Sequence, residues 1–199
     1  MDQTQRPRGD FVAFLNRAKK PGDRQPAFEG RIAKPGTDEK REMALWAHEY
    51  ADPKTGEVKV MFNGSAEANP TGAAAAEQIA ALVRAAPEAA TLNNLSIEAG
   101  QIVLFPNGFK ADAPDKNRPD YWGAYHPGDG SELVRISVWT KTDRNGRAYL
   151  SGATQYPIPG MTEAAMQRAD DGLEALLERG DVTQGMPKEP KRTERGGRA

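Results

Sequence analysis

The amino-acid sequence predicts an α+β protein: antiparallel β-hairpin units, duplicated and partly closed as a small OB-like barrel, with helices packed against them. Three observations predict it. Val134, Ile136 and Val138 alternate with Arg135, Ser137 and Trp139, the two-residue period of a strand with one face inward. Asn145-Gly146 then supplies the backbone angles of a tight hairpin, and residues 147–151 return as a second strand. Elsewhere, stretches at 71–86 and 161–180 carry the 3.6-residue period of amphipathic helices, which need a sheet to cover.

Taken in order, residues 1–9 are polar, and Asp10 is placed to cap a short helix with Phe11, Phe14, Leu15 and Ala18 on one face. Lys19 and Lys20 suit its C-terminal end and Pro21-Gly22 stops it, so 1–26 reads as an arm with a short helix. The β-rich core spans 27–160. Residues 27–33 read as a short strand, and 41–50 as a longer one in which Met43, Leu45 and Ala47 alternate with Ala44, Trp46 and His48. A glycine-containing loop turns that strand into 58–62. The helical insertion at about 71–86 places Ile79, Leu82, Val83 and Ala86 on one face and ends at Pro87. Ile102 to Phe105, bounded by Gly100 and Pro106, is an apolar run short enough for a strand buried on both faces. A polar connection follows, carrying Lys116, Arg118, Tyr121, Trp122 and Tyr125. In the helix of 161–180, Met161 and Met166 form a hydrophobic staple and Leu173, Leu176 and Leu177 lie on its apolar face. Residues 181–199, rich in Pro, Gly and charge, read as a disordered tail.

Composition limits the partners. Lys+Arg 27 against Asp+Glu 28 leaves a net charge of −1, so a nucleic-acid site would have to be a local patch. Cysteine is absent, which removes disulfides, thiolate metal sites and thiol nucleophiles. No apolar run is long enough to span a membrane, and the first residues lack a signal-type segment, so a cytoplasmic protein is expected.

The two hairpins resemble each other. Trp46 and Trp139 each precede a glycine-containing turn, the two differing in length, and the return strands close on Phe62-Asn63-Gly64-Ser65 and Leu150-Ser151-Gly152-Ala153. This is the pattern of a duplicated β unit, part of which any hairpin would share. The stretches 28–32 (FEGRI), 44–46 (ALW), 103–122 (VLFPN to NRPDYW) and 135–152 (RISVWTKTDRNGRAYLSG) also resemble a family of short bacterial proteins of unknown function, often encoded on plasmids and other mobile elements. The shared core is tryptophan, basic residues, a glycine turn and Tyr-Leu-Ser. The resemblance implies a small antiparallel β domain in a mobile-element setting and carries no established catalytic residues. The long insertion and the two amphipathic helices depart from the short pattern.

Basic and aromatic side chains on one outward β face are how small barrels hold single strands: bases stack on rings while Lys and Arg follow the phosphates. The candidate surface is Trp46, Arg135, Trp139, Lys141, Arg144, Arg147 and Tyr149, with Lys116, Arg118, Tyr121 and Trp122 from the connection. A tryptophan on a strand's second face is also a common core residue under a helix, so Trp139 has two readings. The first functional expectation is a noncatalytic accessory protein of a mobile element that binds single-stranded nucleic acid. The alternative is a protein-interaction module acting on a host or plasmid protein. Phosphate-loop, nucleophile-elbow and HExxH patterns are all missing, and His126 with Asp120 and Asp129 matches no metal-site spacing. No enzyme, cofactor or metal is expected.

Overall fold

Alternating strands separated by turns can be joined edge to edge in chain order, and here the last strand also meets the first. The computed structural model describes residues 6–52, 55–66, 97–112, 117–159 and 161. It forms a closed antiparallel barrel of β1 (Gly9–Leu15), β2 (Phe28–Ala33), β3 (Lys40–Ala51), β4 (Val58–Ser65), β5 (Gln101–Pro106), β6 (Tyr121–Tyr125), β7 (Val134–Thr142) and β8 (Ala148–Gln155). β8 pairs with β1 from Gly9↔Thr154 to Phe14↔Tyr149, so no strand is left with an open edge.

Strand alternation sends one set of side chains into the barrel. Phe11, Phe28, Ile32, Met43, Leu45, Phe62, Ile102, Leu104, Tyr125, Ile136, Val138 and Leu150 fill it. Phe28 meets Phe62 edge to face at 5.5 Å, and Phe62 meets Tyr121 at 5.2 Å, the arrangement aromatic quadrupoles favour. On the outside, Met61, Ile97, Val103, Phe105, Trp122 and Ala124 form a second buried cluster, so β5 is buried on both faces.

Several expectations are corrected. The described residues form an all-β fold where an α+β one was expected: the only helical element among them is a 3-10 turn, Lys110–Asp112. The barrel closes fully with eight strands in sequence order, where a partly closed OB-like barrel with packed helices was expected. The helix expected to start at Asp10 is β1. Phe11 and Ala13 point inward and Val12 and Phe14 outward, and pairing to both β2 and β8 outweighs a local pattern that fits either period over so few residues. The segment containing Tyr121, Trp122 and Tyr125, expected as a connection, is β6. The helices expected at about 71–86 and 161–180, apart from Met161, and the tail at 181–199 lie outside the described residues.

The halves β1–β4 and β5–β8 match in pairing register. Gly30 opposes Met43 and Gly123 opposes Ile136; Leu45 opposes Gly64 and Val138 opposes Gly152; Trp46 opposes Asn63 and Trp139 opposes Ser151. The equivalent glycines meet the same obstacle. A Cβ on Gly30 would lie 1.9 Å from the Val12 carbonyl oxygen, and one on Gly123 would lie 1.8 Å from that of Val103. A side chain at either place would hold the strands apart where a barrel sheet has to curl tightly.

Candidate nucleic-acid interface

Because β1, β3, β5 and β7 run the same way, the connections that follow them gather at one end of the barrel. Two are long arms, 16–27 and 107–120, and two are hairpin turns, 52–57 and 143–147. The arms are built alike. Ala18 N–H donates to Asn16 Oδ1 and Phe109 N–H to Asn107 Oδ1, each at 2.9 Å. Asn16 N–H reaches the Ala27 carbonyl at 2.9 Å, and Asn107 N–H reaches that of Asp120 at 2.8 Å. The Trp46 indole N–H donates to the Arg24 carbonyl at 2.9 Å, and the Trp139 indole to the Asn117 carbonyl at 3.0 Å. Each tryptophan therefore latches one arm to the barrel wall, which gives a buried or half-buried indole the partner it needs.

The sequence-predicted residues divide between the core and the surface. Trp139 is 2% exposed and Trp122 4%, and the Trp122 ring lies 5.5 Å from Phe105 within the outer cluster. Arg135 is fully buried, its guanidinium donating to Ser137 Oγ at 2.5 Å. Arg118 is buried and donates to the Phe109 carbonyl at 2.8 Å. Tyr121 points into the barrel, and burial pushes its hydroxyl pKa up. Lys116 lies outside the described residues. Trp46, Lys141 and Tyr149 are half-buried, and Arg144 and Arg147 are exposed on the β7–β8 turn, where Gly146 takes a positive φ of 74°.

What the sequence reading missed is Phe14. Assigned to a helix, it lies instead on the outer face of β1, opposite Tyr149 of β8, and the two rings stack at 5.8 Å with an interplanar angle of 21°. Phe14 is 38% exposed. In the next ladder, Tyr149 pairs with Lys141. Around this pair positive charge is in excess, although the exposed Glu29 of β2 lies directly opposite Phe14. The adjoining arm carries Arg17, Lys19, Lys20 and Arg24 against Asp23, and the adjoining turn carries Lys141, Arg144 and Arg147 against Asp143. Both acids are occupied in shaping the backbone. Asp23 accepts from the Lys20 and Gln25 N–H groups and from Lys19, and Asp143 accepts from the Asn145 and Arg147 N–H groups. The Lys20 backbone bond, with the Gln25 and Lys19 bonds adding to it, holds the Asp23 pKa below the ordinary carboxylate value.

The equivalent corner on the other half differs. Phe105 occupies the place of Phe14, but it is buried with Trp122 and Met61. The arm there balances Lys110, Lys116 and Arg118 against Asp112, Asp115 and Asp120, and the turn holds Asp52 and Glu57 against Lys54. Lys59 pairs with Asp52 at 2.5 Å, a bond that raises the Lys59 pKa, and Lys110 pairs with Asp120. One architecture thus carries a basic, open corner and a neutral, covered one.

The residues considered for a metal site are each held by local bonds. His126 Nδ1 accepts from Gly128 N–H, whereas Asp129 is bound by Lys34 and Ser131, chiefly the Lys34 bond, which holds its carboxyl well below the usual range. Asp120 is at the opposite end of the barrel, bonded to Lys110 and to the Thr140 N–H. Among the described residues no group of three His, Cys, Asp or Glu could hold a metal ion, and no helix is long and apolar enough to cross a membrane. Compared with known proteins, the chain matches no family model, no curated protein and no solved structure at a significant level.

Proposed function

We propose that the protein is a noncatalytic, cytoplasmic binder of single-stranded nucleic acid, its contact surface being the corner where β1 and β8 meet. Bases stack on the exposed Phe14 ring, backed by the half-buried Tyr149, and Arg17, Lys20, Arg24, Arg144 and Arg147 follow the phosphates. Lys141 lines the same face. Trp46 acts from behind, holding the basic arm through its bond to the Arg24 carbonyl. The observation that carries the reading is the contrast between the two equivalent corners: open stacked rings and excess positive charge occur together at one of them, on a chain whose net charge is −1. The role as an accessory protein of a mobile element rests on the sequence resemblance alone.

The test is a fluorescence-anisotropy titration of a labelled single-stranded oligonucleotide at low and moderate salt, with a duplex of the same sequence alongside. Binding of the single strand that weakens with salt and drops about 5- to 150-fold in Phe14→Ala, the loss of one stacked base, is expected. Absence of binding at low salt, or equal binding by Phe14→Ala, would overturn it. Capture of a protein partner insensitive to salt would then be the finding to pursue.

A further inference from the structure

The two seams between the half-barrels are one interface used twice. At the first, β4 meets β5 through Asn63↔Val103 and Gly64↔Ile102; at the second, β8 meets β1 through Ser151↔Val12 and Gly152↔Phe11. Glycine on the last strand of one half faces the large apolar residue on the first strand of the other in both cases. The glycines are equivalent in their surroundings as well, since a Cβ on Gly64 or Gly152 would lie 2.1 Å from the Ala44 or Ser137 carbonyl oxygen. Within each half, every strand pairs with its chain neighbour, so each half is continuous in sequence and shares strand pairing with the other only at the two seams, around a core that both halves fill. The single covalent link between them leaves from Ala66 and returns at Gly100, whose carbonyl accepts the Ala66 N–H at 2.8 Å.

From this we propose that the seams are a self-recognition surface, and that the β1–β4 half of one copy closes a complete barrel with the β5–β8 half of a second copy. The partner is the protein itself, joined by exchange of halves. Such a dimer keeps every strand pairing of the monomer, so the balance between them depends on concentration and on the link. Tethering gives the intramolecular partner an effective concentration on the order of 1 mM, so the exchanged form should accumulate when the chain is refolded near that concentration. The proposal is independent of nucleic-acid binding.

The test uses full-length chains carrying a protease site between Ala66 and Ile97, one preparation labelled with nitrogen-15. The two are mixed, denatured and refolded together, at about 1 mM and at about 1 μM. At the higher concentration a dimer is expected, and native mass spectrometry after cleavage of the link should find barrels pairing a labelled half with an unlabelled one. Only monomer at both concentrations would overturn the proposal. So would a dimer that yields only unmixed barrels on cleavage, or a barrel whose halves separate once the link is cut although the uncut chain refolds.

Discussion

Salt dependence tests the proposed surface most directly, because its size can be worked from the structure. Arg17, Lys20, Arg24, Arg144 and Arg147 flank the Phe14–Tyr149 pair and form no ion pair among the described residues. Lys19 is excluded because it is held by Asp23 at 3.2 Å. A strand that covers all five displaces their share of counterions, giving a slope of log affinity against log salt of about −3.5, at ~0.7 per phosphate contact on single strands. Raising salt from about 50 to about 200 mM should then weaken binding about 100-fold. The double variant Arg144→Gln/Arg147→Gln should flatten the slope by about 1.4, while Lys110→Gln on the opposite corner leaves it unchanged. Both are read by anisotropy titration over a salt series, with circular dichroism to confirm that each variant is folded. A slope shallower than about −1 in the unaltered protein, or equal flattening by Lys110→Gln, would refute the reasoning.

The two tryptophans, equivalent in register, should respond differently to substitution. Trp139→Ala empties a buried site and should cost about 3–5 kcal/mol in urea denaturation, whereas Trp46→Phe removes one indole N–H bond, costs about 1 kcal/mol and loosens the arm. The barrel repeat can be probed at its glycines. Gly30→Ala and Gly123→Ala each force a Cβ to within 2 Å of a carbonyl oxygen on the neighbouring strand, so each should destabilise by more than about 2 kcal/mol; a neutral result at either would deny the close approach. Acid should loosen the basic arm. A carboxylate with a lowered folded pKa stabilises above its unfolded value, here 3.8, and that contribution is lost as pH falls through the folded value, so amide protection in residues 17–25, taken relative to the intrinsic exchange rate at each pH, should fall below about pH 4 before the barrel melts; Asp23→Asn should show the reduced protection already at pH 7.

How much of this was legible follows from the range of the forces involved. The hairpins of β3–β4 and β7–β8 are local: alternation in Val134 to Val138 and the Asn145-Gly146 turn specify them within a few residues, and the likeness of Trp46 to Trp139 was visible in the letters. The wider repeat was present as well. Asn16 and Asn107, Gly30 and Gly123, and Trp46 and Trp139 each stand about 92 positions apart, but without register they are scattered identities. Phe14 was misassigned because Phe11, Phe14 and Leu15 satisfy a helical stripe as well as a strand, and the choice is made by β2 and β8, which lie far away in sequence.

By itself, then, the sequence determined the hairpins, the absence of cysteine chemistry and the concentration of Lys and Arg in residues 17–24 and 141–147. Only the tertiary structure decided which side chains face water. Period-two alternation separates the two faces of a strand and says nothing about what covers the outer one. Arg135 and Trp139 alternate with the core of β7 as Lys141 does, yet the first two are buried and the third is half-exposed. Closure of the barrel brought Phe14 beside Tyr149, joining the first strand to the last, and so created the stacked pair that neither strand encodes alone.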